Sequence, residues 1–205
     1  MIHSQELVHR DLHSGNILQD NLHSAYIADL GLSISANIAI KKEKRGVYGI
    51  LPYIAPEILE GEQYTTASDI YSFGIILWEI LYGKSVFYEQ KFGSQLEIQI
   101  CVNNLRPTII ENTSRCYVNL MKECWERKPE KRPSAENICE IVNEWQNDEN
   151  ILGELAESEK VLNNTSISSV YAENLSEIIY ESKLINYITP SYQDSIFEKW
   201  NIAET

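Results

Sequence analysis

Four cysteines are present, Cys101, Cys116, Cys124 and Cys139, and none has C-x-x-C spacing or a histidine cluster beside it. That pattern argues against a zinc site or a disulfide framework and favours reduced structural thiols in an intracellular, cytoplasmic protein. No apolar run is long enough to span a bilayer. The longest, Ile70 to Tyr82, is interrupted by Ser72 and Glu79 and reads as a buried helix. The first residues are polar and mixed, without the pattern of a secretory signal. Basic residues are scarce: 17 Lys and Arg stand against 30 Asp and Glu, a net charge of −13. Such a balance excludes nonspecific attraction to nucleic acid or an anionic membrane as the main activity. Neither an internal repeat nor a Pro- or Ser-rich linker divides the chain.

What is there suffices for one core. At 205 residues with 43% hydrophobic content, the chain has room for one domain and a tail. Residues 6–9, 16–19 and 25–28 read as short strands, the last two separated by a polar turn at 20–23. The segment from Ser33 to Tyr53 has little periodicity, carries Lys41, Lys42, Lys44 and Arg45, and reads as a mobile loop with a solvated basic run. From Pro56 the pattern turns helical: a short helix to about Gly61, a longer one capped by Thr66 or Ser68 and ending near Tyr82 before Gly83, then helices near 93–102, 114–126 and 134–146. Beyond Asn147 the composition shifts to Glu, Asn and Ser, with nine acids and three bases over 151–205. Two stretches there, 151–162 and 173–188, space apolar residues helically, Leu184, Ile185 and Ile188 among them.

The octapeptide HRDLHSGN, His9 to Asn16, is the strongest signal, and Asp29-Leu30-Gly31 follows 18 residues after its aspartate. Further along stand GILPYIAPEIL from Gly49, SDIYSFGIILWEI from Ser68 and CWERKPEKRPS from Cys124. Over residues 1–146 this order of motifs resembles the C-terminal lobe of a eukaryotic protein kinase, with residues 147–205 as an acidic tail, partly helical or disordered. The resemblance implies a truncated protein-kinase-like α+β fold, mainly helical, with a few short strands around the catalytic loop. It implies transfer of the ATP γ-phosphoryl group to a protein Ser/Thr or Tyr hydroxyl, with Mg2+ as cofactor and a protein substrate or partner kinase as partner.

Carried over residue by residue, the resemblance makes Asp11 the catalytic base, Asn16 and Asp29 the metal holders, and Leu18 the apolar residue beneath adenine. Arg10 is the residue that reads an activation-segment phosphate, or else forms an ion pair within its own loop. Tyr48 is the only hydroxyl side chain between Ala36 and Pro52, hence the candidate for modification. Glu57 and Arg132 match a mostly buried structural pair. Asp69 matches the aspartate that braces the catalytic loop, and also suits a helix N-terminus.

Two departures bear on chemistry. His13 stands where serine/threonine-directed kinases carry lysine, two residues after the base, and a largely neutral imidazole stabilises less developing charge. Ile50 stands where they carry threonine. HSGN and the CW…RPS ending resemble the tyrosine-kinase-like branch, while LPYIAPE leans to serine/threonine recognition. The chain contains no G-x-G-x-x-G, no V-A-I-K-like lysine and no hinge. Two expectations follow: apolar surface exposed because most of the helix preceding the catalytic loop is absent too, and, as the alternative function, a noncatalytic pseudokinase-like binding module.

Overall fold

The computed structural model describes residues 2–21, 24–36, 46–87, 94–164 and 182–187. The basic run Lys41 to Arg45 lies outside them, as do most of the positions expected to be helical over 173–188.

Among the described residues the strands form three two-stranded antiparallel ribbons. Strand β1 (Leu7–Val8) pairs with β4 (Ile34–Ser35), and β2 (Ile17–Asn21) with β3 (Ser24–Ile27). The third ribbon joins distant parts of the chain: β5 (Val47–Gly49) pairs with β6 (Lys183–Ile185). The described parts of the Ser33–Tyr53 segment therefore include two short strands, Ile34–Ser35 and Val47–Gly49, where a loop was expected. Runs of two or three residues are too short to show a period of two. Their strand character comes from the partner strand.

The helices supply the core. Helix α1 (Pro56–Leu59) is a single turn, and α2 (Thr66–Tyr82) runs through the centre. Helix α2 buries Ile70, Tyr71, Ile75, Ile76 and Trp78 on several sides, as a helix enclosed by its neighbours must. Its cap lies one residue earlier than expected: the Thr65 amide donates to Ser68 Oγ at 3.2 Å, and that hydroxyl donates back to the Thr65 carbonyl at 2.6 Å. At the other end Gly83 sits at φ +62, a left-handed position that glycine takes without strain, and its amide closes on the Glu79 carbonyl at 2.8 Å.

Helix α3 (Ser94–Cys101) lies against α1, and α4 (Arg115–Cys124) packs along α2. The α2–α4 approach is close because Gly74 lacks a Cβ. One built there would stand 2.8 Å from Cys124 Cβ. Helix α5 (Ala135–Asn147), capped by the Ser134 hydroxyl, lays Ile138, Ile141, Val142 and Trp145 on the core. Helix α6 (Glu149–Asn164) docks on the start of α4: Glu154 Oε1 accepts the Arg115 amide at 2.6 Å, and Ser158 Oγ the Ser114 amide at 3.0 Å. A carboxylate at that end satisfies amides that the helix itself leaves without partners.

Leu184 and Ile185, expected at helical spacing, lie in β6. The face-forming pair is Ile185 and Tyr187, two apart, both packed on the core, while Leu184, next to Ile185, is exposed. Period two decided the element, and the adjacent apolar pair had concealed it. None of the four cysteines is bonded to another. Cys101 and Cys124 are buried and Cys139 is exposed. Among the described residues no helix is long and apolar enough to cross a membrane.

Candidate active site

The loop from His9 to Asn16 has almost no regular structure, so side chains must hold its backbone. Asp69, on the first turn of α2 and 2% exposed, does most of this. Its Oδ2 accepts the His9 amide at 2.7 Å and the His3 Nε2–H at 2.9 Å, while Oδ1 accepts the Arg10 amide at 3.0 Å. These bonds keep Arg10 at φ +75, a left-handed conformation that costs a residue with a side chain about 1–3 kcal/mol unless its surroundings hold it.

The fully buried His9 links the loop to β3. Its Nδ1 accepts the Asp11 amide at 3.3 Å, which leaves Nε2–H to donate to the Ala28 carbonyl at 2.9 Å. Asn16 makes a second link: its Nδ2 donates to the Asp11 carbonyl at 2.9 Å, and its own carbonyl accepts the Ala28 amide at 2.8 Å. Asp11, Asn16 and Asp29 are thus tied through two short backbone bridges. Asp29, at φ +56, turns its Oδ1 to the Gly31 amide at 3.3 Å and stays exposed.

Asp11 lies under β5. A Cβ built on Gly49 would stand 3.6 Å from Asp11 Oδ1. His13 Nε2 stands 4.0 Å from Asp11 Oδ2. Burial, aided by His9, lowers the His13 pKa below the usual histidine value and outweighs Asp11 and Asp29, which raise it. The imidazole is therefore mostly neutral at pH 7. It cannot reproduce a lysine's charge.

Arg10 stacks over Tyr64, 4.8 Å from the ring centroid, and reaches the Leu32 carbonyl at 3.5 Å. Leu18 is 56% exposed beside its strand partner Tyr26, and Ile27, Leu30 and Leu32 are exposed with them, an open apolar surface around Asp29. A second open apolar groove runs between Ile2, Leu12, Ile27, Phe73 and Ile138. Tyr48 is 52% exposed, on the face of β5 opposite the core. Ile50 is buried in the core.

Glu57 and Arg132 meet in a two-pronged pair at 2.6 and 2.7 Å, with the arginine side chain 0% exposed. The same guanidinium donates to the carbonyls of Glu126, Ala67 and Arg127, so all five N–H groups are used. This clamp holds the start of α1, and with it the end of the segment that carries β5.

Four participants lay outside the sequence reading. His3 joins the Asp69 bracket. Tyr53 OH donates to the buried Glu79 at 2.6 Å and meets Ser14 Oγ at 3.1 Å, so α2 also anchors the loop through a second acid. Glu79 had registered only as an interruption of an apolar run. The fourth is Ser182, whose Oγ donates to Asp11 Oδ2 at 2.8 Å. No local pattern distinguishes that serine from its neighbours.

The donor set suits a hard cation. Asp29 supplies an exposed carboxylate, and Asn16, its Nδ2 committed, has Oδ1 for a ligand. Among the described residues no three His, Cys, Asp or Glu side chains cluster around one point. The fit is to an ion such as Mg2+ that takes its remaining ligands from water and phosphate.

Comparison with known proteins identifies the family. Residues 1–142 match the family model for protein tyrosine and serine/threonine kinases. The chain is 40% identical over 146 residues to a probable serine/threonine-protein kinase, roco8, of Dictyostelium discoideum, covering 67% of this chain and 8% of that protein. It is 33% identical over 144 residues to the serine/threonine-protein kinase STY46 of Arabidopsis thaliana, covering 70% of this chain and 24% of the relative. To the dual specificity protein kinase shkC of Dictyostelium discoideum it is 35% identical over 137 residues, covering 66% and 27%. The chain thus spans between 8% and 27% of the length of these relatives. With HRD held on α2 by Asp69, DLG adjoining it through the Ala28 bridges, and the family model matched over residues 1–142, this chain belongs to the protein tyrosine and serine/threonine kinase family.

Proposed function

We propose that the chain carries the phosphoacceptor half of a protein kinase site and takes part in moving the γ-phosphoryl group of ATP to a protein serine or threonine hydroxyl. The observation that carries the reading is the double bridge from His9 and Asn16 to Ala28, which holds Asp11, Asn16 and Asp29 as one unit. Asp11 accepts the acceptor hydroxyl's proton. Asn16 and Asp29 would hold Mg2+, which would neutralise phosphate charge when bound. Leu18 gives an apolar floor for the adenine, and Asp69 positions the loop without touching substrate. Glu57 and Arg132 fix the segment along which the acceptor peptide lies. Arg10, a guanidinium stacked beside the loop, and Tyr48, an exposed hydroxyl on β5, are the candidates for regulation. Serine/threonine preference rests on the printed names of the relatives and on LPYIAPE.

The second reading, a noncatalytic binding module, is favoured by the largely neutral His13 where a lysine is expected and by the buried Ile50 where a threonine is expected. One assay separates them. Labelled ATP, Mg2+ and peptides bearing Ser, Thr or Tyr are incubated with the chain alone and with the N-terminal lobe of a kinase relative added in trans. Label on Ser and Thr, abolished by chelation, is expected in at least the second mixture. No label in either, with the two pieces shown to be associated, would favour the binding module.

A further inference from the structure

The hydroxyl that faces Asp11 belongs to the chain itself. Ser182 Oγ donates to Asp11 Oδ2 at 2.8 Å, although 171 residues separate them in sequence. Just beyond Ser182, Lys183, Leu184 and Ile185 pair antiparallel with Gly49, Tyr48 and Val47. We propose that this segment is an intramolecular substrate and that Ser182 is a phosphoacceptor, a reading that rests on the kinase function above.

Register is what makes the placement specific. Ile185 sits opposite the buried Val47 and packs on the core with Tyr187, while Leu184 sits opposite Tyr48 on the exposed face. A slip by one residue would turn Ile185 outward and Leu184 inward, so the register is held by burial. With Lys183 fixed opposite Gly49, whose Cβ position lies 3.6 Å from Asp11 Oδ1, residue 182 must arrive at the Asp11 carboxylate. Gly46 admits the strand, since a Cβ there would run into the Ile185 carbonyl. Adding a strand to an edge is a general way to present an extended peptide, with main-chain bonds for grip and alternate side chains for selectivity.

The residue so presented can react. A segment that only blocked the site would serve equally well with no hydroxyl at this position, whereas here a hydroxyl meets the proposed base. In the step, Ser182 Oγ forms a bond to the γ-phosphorus of ATP and its proton passes to Asp11 Oδ2. The bond from that phosphorus to the β-phosphate bridging oxygen breaks, its electron pair leaving with ADP. The product carries a dianionic phosphate against Asp11, and repulsion drives the strand out of the groove.

The test uses the dephosphorylated chain under the phosphoryl-transfer conditions above, with a serine peptide present as a control and phosphosites mapped by mass spectrometry. Expected is phosphate on Ser182 with a rate constant unchanged over about a hundredfold range of protein concentration, because the acceptor is held at high effective concentration. Ile185→Asp, which removes the core-facing anchor, is expected to slow Ser182 modification by about tenfold or more, with peptide phosphorylation retained. Peptide phosphorylation without modification of Ser182, a rate proportional to protein concentration, or indifference to Ile185→Asp would overturn the proposal alone. Failure to label peptide and Ser182 alike would overturn the kinase reading together with it.

Discussion

Replacing Arg132 by methionine should remove a large share of the stability of this fold. Its guanidinium is completely enclosed and makes five hydrogen bonds, two to the Glu57 carboxylate at 2.6 and 2.7 Å and three to main-chain carbonyls at 2.7 to 3.1 Å. Methionine approximates its length but leaves the Glu57 carboxylate, 12% exposed, without a counter-charge. Stranding one member of a buried pair costs about 3–5 kcal/mol, against a total of about 5–15 kcal/mol for an ordinary domain. Lysine is not a repair, because a single ammonium cannot fork to both carboxylate oxygens and reach three carbonyls as well. The companion Glu57→Gln, Arg132→Met removes both charges. It should recover about 1–3 kcal/mol relative to the sum of the single changes, since the two side chains share one set of bonds. Urea unfolding followed by the fluorescence of the buried Trp78 and Trp125 reads these differences directly. A loss below about 1 kcal/mol for Arg132→Met, or strict additivity in the cycle, would refute the reasoning.

Two glycines in helices should respond oppositely to alanine. Gly74→Ala drives a Cβ to 2.8 Å from Cys124 Cβ and 3.2 Å from the Trp125 amide nitrogen, and overpacking of about 1–3 kcal/mol should exceed the propensity gain. Gly153→Ala meets nothing within 4 Å on α6 and should raise stability by about 0.5–1 kcal/mol. Glu97 gives a pH prediction. Its carboxyl is buried, its Oε1 has no hydrogen-bond partner among the described residues, and burial pushes its pKa up from 4.5 to about 7. The folded state therefore binds the proton more tightly than the unfolded one. Stability is highest below the unfolded value, falls as pH rises from 4.5 to about 7, and stays low above it. Glu97→Gln should flatten that fall and gain about 1–2 kcal/mol at pH 8 once solvent screening is allowed for; a variant no more stable than the parent at pH 8 would show the carboxylate to be well solvated.

Local signals were the legible ones. The Gly83 stop, the Ser134 cap and the apolar run of α2 each lie within a few residues of the feature they specify. The catalytic loop was legible for a different reason. HRDLHSGN has only one short helical turn, Ser14–Asn16, to reveal it, but its spacing to Asp29 and Asp69 is fixed by bonds such as His9 to Ala28 and Arg10 to Asp69. What stayed hidden was set by partners far along the chain. Strands β4 and β5 exist because β1 and β6 pair with them. Glu79 is tolerable in the core only because Tyr53 and the Val86 amide both donate to it. Ser182 gains meaning only when Ile185 is seated opposite Val47. None of these pairings has a footprint within one turn or one strand of sequence.

The central claim is that Asp11 receives the acceptor proton at a site held ready by Asp69 and His9. The most direct test is Asp11→Asn, measured as kcat and KM for peptide and for ATP in whichever mixture transfers label. Asparagine keeps the size and loses the proton-accepting charge, so kcat should fall about 10²- to 10⁴-fold while KM for ATP stays close to the parent's. A variant that transfers phosphate at the parent's rate would contradict the account.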